Sequence, residues 1–247
     1  MSTPGGPTDS AGIPWGGRSL PSTGFEGDTG AADPALLTAL ASGDEREIMR
    51  ALASARLLVP VTAVAGETQE YEGRHGAIVG DKETDMAVVL LDNPDGRTGL
   101  PVFSGLDSLA EWDPQLRPIP VEASRAAQAA IGESADVLIL DCASEHAFEV
   151  RSSMLWALAM DRDWLPAHTD GFVAVSVAAA CREESAIREH RLAAGGADAP
   201  DVLVIELTLA PGLSATEVQA LVTRVGERLA TDGEFRARVD ALTFRVN

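Results

Sequence analysis

Apolar positions along this chain switch between a spacing of three to four, which suits one face of a helix, and alternation or short unbroken runs, which suit strands. Residues 1–32 show neither rhythm. They are rich in Gly, Pro, Ser and Thr, and such a segment cannot bury enough apolar surface to offset its ordering entropy. A mostly irregular tail is expected there, with Trp15 and Phe25 either pinned back onto the folded surface or, around Ile13-Pro14-Trp15, serving as a short partner-binding motif. Asp33-Pro34 opens a helix, Pro being tolerated in a first turn. Asp44 followed by Glu47 starts a second helix, with Ile48, Met49, Leu52 and Ala55 as its apolar face. Residues 57–64 predict a strand, in which Pro60 argues for an edge or a bulge because it lacks an N–H. Residues 66–84 are polar and Gly-rich and predict a flexible hairpin loop; the glycine spacing fits no dinucleotide fingerprint and no phosphate loop.

Residues 85–121 read as a folding unit of their own. The apolar run 86–91 suits a buried strand, Asn93-Pro94-Asp95-Gly96 a turn, and 100–103 a returning extended segment, so a hairpin is the simplest reading. Ser104 or Asp107 can cap a short helix carrying Leu106, Leu109, Ala110 and Trp112, which Asp113-Pro114 then stops. Pro118 and Pro120 place the extended run 117–121 at a sheet edge. Beyond it, 122–131 is an Ala-rich helix, 137–140 a strand ending at Asp141-Cys142, and 148–150 another short strand. Met154, Leu155, Leu158 and Ala159 form one more helical face, with Trp156 and Trp164 nearby.

The pattern restarts near residues 165–170. Residues 172–177 alternate as a strand, 183–193 are helical with Gly195-Gly196 as their stop, and 202–209 alternate strongly. Ser214 and Glu217 form a capping box ahead of Val218, Leu221, Val222, Val225 and Leu229 at helical spacing, and Leu242, Phe244 and Val246 close as a strand. The expected fold class is α+β, with α/β-like local order. Residues 33–165 should form a mixed sheet with helices packed on it, and 171–247 a smaller β-α-β-α-β domain packed against the first or against a partner chain.

Residues 85–121, with their surroundings, resemble the N-terminal domain of the SseB family, whose members are known for enhanced serine sensitivity. The likeness is carried by Asp81-Lys82-Glu83, Asp85-Met86-Ala87, Pro94-Asp95-Gly96-Arg97, Leu100-Pro101-Val102-Phe103-Ser104, Trp112-Asp113-Pro114 and Arg117-Pro118-Ile119-Pro120-Val121. It extends to Leu58-Val59-Pro60-Val61, to Trp156-Ala157-Leu158-Ala159, and into the tail at Pro14-Trp15-Gly16-Gly17-Arg18 and Gly30-Ala31-Ala32-Asp33-Pro34. The end of the chain is similar, more weakly, to the smaller C-terminal domain of such proteins. The resemblance implies no catalytic residue, no cofactor and no settled activity.

Composition narrows the function. The 247 residues are 45% hydrophobic, 23% charged and only 4% aromatic, which describes a globular chain with an aliphatic core. A net charge of −19 repels nucleic-acid phosphates and anionic membrane surfaces. Arg182, Arg188 and Arg191 could share a helix face as a local basic patch, or as a solvated face matched by Glu183, Glu184 and Glu189. The 2 cysteines, Cys142 and Cys181, are too few for a disulfide framework and read as reduced, partly buried thiols. There is no secretory signal pattern, and the apolar run 172–181 falls short of the roughly 20 residues of a membrane helix, so a cytoplasmic location is expected.

Chemistry is sparse. None of the 4 histidines stands at metal-ligand spacing from another, and neither a Gly-x-Ser-x-Gly elbow nor a Cys-x-x-Cys occurs. No metal or cofactor is expected. Cys142 with His146 is conceivable as a nucleophile pair but lacks a third group to orient the histidine. Two functional readings result. One is a non-catalytic protein that binds or regulates an unidentified protein partner through Trp15, Phe103, Trp112, Pro114 and Pro118, since aromatic anchors dominate interface energetics. The other is a small-ligand binder or enzyme at the strand end carrying Asp141, Cys142 and Arg151, with Asp141 and Arg151 as a buried charge pair. Self-assembly is a further alternative.

Overall fold

The computed structural model describes Phe25 and residues 27–63, 71–73, 76–78, 86–92 and 96–247. Met1–Gly30 and Ala31–Asn247 are distinct compact units. In the first, the described backbone turns at Asp28, whose N–H bonds the Phe25 carbonyl at 3.0 Å and whose carboxylate accepts the Gly30 N–H at 2.8 Å. Trp15 and most of the acidic segment 66–84 lie outside the described residues.

The second unit begins with helices α1 (Pro34–Ser42) and α2 (Glu45–Ser54) and strand β1 (Arg56–Ala63). A short antiparallel pair follows, β2 (Tyr71–Gly73) and β3 (Gly76–Ile78), then strands β4 (Met86–Val88), β5 (Leu91–Asp92) and β6 (Thr98–Val102). Next come α3 (Leu106–Trp112), β7 (Arg117–Glu122), α4 (Ala123–Gly132), β8 (Val137–Leu140), β9 (Phe148–Val150) and α5 (Ser152–Ala159). After a 3₁₀ turn at Ala167–Thr169 the chain forms α6 (Gly171–Arg182), β10 (Ile187–Ala194), β11 (Val202–Leu209), α7 (Ala215–Thr231), α8 (Gly233–Arg238) and β12 (Ala241–Val246). Mixed sheets with helices packed on them make this an α+β fold.

The first half holds a sheet of order β4-β1-β7 and another of order β5-β6-β8-β9, in which only β6 and β8 run parallel. Reciprocal hydrogen bonds between Leu58 and Phe103, at 2.8 and 2.9 Å, join them where β1 meets the end of β6. The expected hairpin is therefore split: 86–88 pairs with β1, and only β5 folds back on β6. Pro60 is a correction of a different kind, because β1 is central rather than an edge. Leu58 sends both its N–H and its carbonyl to Phe103, so by alternation Pro60 also points its nitrogen away from β7. It faces Pro118 in the register, a position that needs no N–H from either residue. On β7 the same alternation turns Pro118 and Pro120 outward, which strips donors from a true edge strand.

One face of the β6–β8–β9 sheet is covered. Leu100, Val102, Leu138, Leu140 and Val150 pack there against Ala123, Ala126, Ala127 and Ala130 of α4 and Met154, Leu155 and Leu158 of α5. Small alanines on α4 let helix and sheet approach closely. The Leu36, Leu40, Ile48, Met49 and Leu52 side chains of α1 and α2 complete this core.

A second core lies in the last part of the chain, and here the expected β-α-β-α-β order is corrected to α-β-β-α-α-β. Residues 172–177 are helical, because Val173, Val177, Ala180 and Cys181 recur at helical spacing and are the buried ones, while Val175 is 70% exposed. Asp170 caps the helix, accepting the Phe172 N–H at 2.8 Å. Residues 187–194 form a strand despite their charges, because hairpin pairing with the strongly apolar β11 outweighs local propensity. Gly195-Gly196 thus opens a hairpin turn instead of ending a helix. Arg182 closes α6 while Arg188 and Arg191 lie on β10, so the three share no helix face. β11 is central, antiparallel to β10 and parallel to β12, with Leu203, Ile205 and Leu207 under α6 and α7.

Candidate functional site

Among the described residues, the face of the β5–β6–β8 sheet turned away from α4 and α5 carries the groove where the chain could receive a ligand. α3 crosses its end. That helix starts at Gly105, where the Ser108 hydroxyl donates to the Gly105 carbonyl at 3.0 Å. Neither Ser104 nor Asp107 caps it, contrary to expectation. Ser104 is buried, and its N–H and hydroxyl both bond the Asp141 carboxylate, at 2.9 and 2.7 Å. Asp141 adopts a left-handed φ of 49°, a conformation that a short polar side chain tolerates better than a bulky one. Its own N–H bonds the Val102 carbonyl at 2.9 Å, so this residue clamps the ends of β6 and β8 together.

Above that clamp Phe103 is fully buried with Leu58 and Leu109, so it is core and not surface. Trp112 stacks on it with ring centroids 5.3 Å apart and is only partly buried. Trp112 also borders a groove of about 440 Å³. Its floor is Leu91, Gly99, Val137 and Ile139, with Asp92, Arg97 and Glu111 on the rim. Gly99 lets the floor exist in its present form, because a Cβ there would sit 2.5 Å from Ile139 Cδ1. Arg97 on the rim is paired with Glu149 at 2.7 Å.

The structure separates the other residues singled out from the sequence. Cys142 lines the same groove, but Pro114 and Pro118 do not. Arg151 does not meet Asp141, which corrects the expected charge pair. Its guanidinium holds Glu45 bidentately at 2.5 and 2.9 Å and Asp240 at 3.2 Å. Burial works against the Arg151 charge, yet those two carboxylates outweigh it and hold its pKa above the ordinary value. Burial pushes the Cys142 thiol up to about 11, so it stays protonated at neutral pH and is a poor nucleophile. His146 turns to Glu145, with 3.6 Å between ring nitrogen and carboxylate, and both lie at the surface. Among the described residues no group of three His, Cys, Asp or Glu side chains is placed to hold a metal ion, and no helix is long and apolar enough to cross a membrane.

Residues 34–157 match the family model described as the SseB protein N-terminal domain. The chain belongs to the SseB family. The SseB match runs from α1 to nearly the end of α5, so it spans everything that builds the groove, and stops before α6. No curated protein and no solved structure matches the chain.

Sequence reasoning found Trp112 and Cys142 but missed the groove floor. Its one sequence signal is Gly99 inside a strand, a common mark of close approach to another group. The Ser104–Asp141 clamp and the Arg151–Asp240 contact had no such signal.

Proposed function

We propose that this SseB-family chain is a non-catalytic cytoplasmic protein that binds a protein partner, with 33–165 as its binding domain and 171–247 as an SseB-type C-terminal domain. The observation that carries this reading is the partly buried Trp112, held rigid by its stack on Phe103, beside an apolar groove of about 440 Å³. A rigid aromatic wall loses little entropy on contact, which is why such residues serve as anchors. The occupant is a short apolar segment of the partner flanked by Lys or Arg. Asp92 and Glu111 on the rim, the neutralisation of Arg97 by Glu149 and the net charge of −19 all favour a basic flank. The strand-end enzyme reading finds less support, since Arg151 is elsewhere and both Asp141 oxygens are engaged.

The test is selection from a random-peptide display library on the full chain. Enrichment of apolar peptides with basic flanks supports the reading if binding weakens with salt and is lost in Trp112→Ala. Glu111→Arg reverses a rim charge on an exposed helix face and should weaken the same peptides without touching the core. No enrichment, or enrichment indifferent to both substitutions, rejects the groove as the binding site.

A further inference from the structure

The edges of the sheets are treated unequally. β7 presents outward prolines, and β10 carries a bulge between Ile187 and Glu189 together with exposed Arg188, Glu189 and Arg191, devices that discourage strand addition. β12 has fewer of them. Among the described residues it pairs only with β11, it contains no proline or bulge, and its one charged residue, Arg245, is already matched to Glu206 at 2.7 Å. On a chain of net charge −19 this is a locally neutral strip.

We infer that β12 pairs antiparallel with β12 of a second copy, joining two three-stranded sheets into one continuous sheet across a two-fold axis at Phe244. The register follows from two parities. Asn247 donates to the Leu207 carbonyl at 3.0 Å, so in this parallel ladder residues 243, 245 and 247 turn their peptide groups to β11. Leu242, Phe244 and Val246 therefore turn theirs to the open edge. The same three side chains lie on the core side of the sheet, where Leu242 and Phe244 are only partly buried and Val246 is 41% exposed.

A one-residue slip would set core-side residues against solvent-side ones, so only registers that keep like faces together are allowed. Asp240 is engaged by Ser153 and Arg151 and cannot extend the ladder backward, whereas pairing with β11 continues to Asn247. That favours Phe244 opposite itself and Leu242 opposite Val246 of the partner subunit. All three outward peptide groups then find donors and acceptors, and the exposed halves of the apolar side chains cover one another. On the open face Thr243 meets Arg245 of the partner subunit, so no like charges stand directly opposite. A C2 contact of this kind is closed and cannot propagate into a fibre.

Sedimentation velocity on the full chain over a range of concentrations tests this. A reversible dimer is expected, tightening as salt screens the mutual repulsion of two acidic chains. Val246→Pro removes an outward N–H without breaking a bond to β11, and Thr243→Lys places like charges opposite each other while leaving the core intact. Each should raise the dimer dissociation constant by roughly tenfold or more. Circular dichroism should show both variants folded. A wild-type chain that stays monomeric, or a dimer indifferent to either substitution, overturns the inference. Neither result bears on the Trp112 groove, which lies on a different sheet.

Discussion

Asp240 caps a helix from 87 residues further along the chain, accepting the Ser153 N–H at 2.7 Å and the Ser153 hydroxyl at 2.8 Å. The local N-cap of α5 is Arg151, which has no acceptor to offer the orphan N–H groups of the first turn. A carboxylate at that end also meets the positive pole of the helix dipole. The Ser153 hydroxyl in turn accepts the Trp164 indole N–H at 3.0 Å, and Arg151 links Asp240 to Glu45 of α2. The result is a polar junction between the two hydrophobic cores, with the Arg151 and Asp240 side chains only 16% and 12% exposed.

Asp240→Ala should cost about 2–4 kcal/mol in urea denaturation, because it removes the cap and leaves part of a nearly buried guanidinium without its partner. Asp240→Asn keeps an acceptor for the Ser153 N–H but not the charge, so its loss should be smaller, about 1–2 kcal/mol. Equal losses would show that the charge, and not the cap, dominates the junction.

Glu184 supplies an acid-sensitive brace between α6 and α7. It takes Arg224 bidentately at 3.0 and 2.6 Å and Arg228 at 2.7 Å. Hydrogen bonds from Arg224, helped by Arg228 and opposed by burial, lower its carboxyl from 4.5 to about 2. A carboxyl lowered in the folded state binds fewer protons than in the unfolded state. Its contribution is therefore complete above pH 4.5 and lost as the pH falls towards 2. Glu217, through the Ser214 backbone, and Glu234, through Arg238, shift in the same direction. Urea midpoints measured across this window should fall with decreasing pH, and Glu184→Gln should be less stable near neutrality with a flatter acid limb.

Much of the first half was legible in the sequence because local signals and tertiary packing agree there. Asp33-Pro34 and Asp44 start helices as expected, and Pro118 and Pro120 do mark an edge. The capping box of Ser214 and Glu217 forms in full, with the Ser214 N–H on Glu217 at 2.8 Å. The failures share a physical cause. Val173, Val175 and Val177 satisfy a strand period, while Val173, Val177, Ala180 and Cys181 satisfy a helical one; only burial decides between them. Residues 187–194 look like helix surface because their charges say nothing about the apolar strand that pairs with them. At the candidate site Trp112 was recognisable by its chemistry, whereas Ile139, Val137 and Gly99 become a floor only once β6 and β8 lie side by side.

Cys142 offers a chemical readout of the groove. With its thiol pushed up to about 11, alkylation by iodoacetamide at neutral pH should be much slower than for a free cysteine, and should accelerate as the pH approaches 11 if the fold survives. Cys181 is buried in the second core and should react only on unfolding. Mass spectrometry after brief alkylation separates the two sites. Fast labelling of Cys142 at neutral pH would contradict its desolvation. Protection of Cys142 by a peptide bound in the groove would report occupancy directly.

The pair Gly195-Gly196 gives a sharp test of the β10–β11 hairpin. A Cβ on Gly195 would lie 2.0 Å from the Ala199 carbonyl oxygen and 2.9 Å from that of Val202, both backbone atoms that cannot swing aside. Gly195 also donates its N–H to Val202 at 2.8 Å, so the turn cannot open without losing that bond. Gly196 has nothing within 4 Å of a Cβ, and its φ is not in the left-handed region. Gly195→Ala should therefore destabilise the chain by about 1–3 kcal/mol or more, the usual range for overpacking against atoms that do not yield. Gly196→Ala should be neutral or slightly stabilising, through loss of unfolded-state entropy. Had residues 183–193 been a helix ending in this pair, both substitutions would be judged by left-handed C-cap geometry and no steric contrast of this size would arise. Thermal melts of the two variants side by side distinguish the cases.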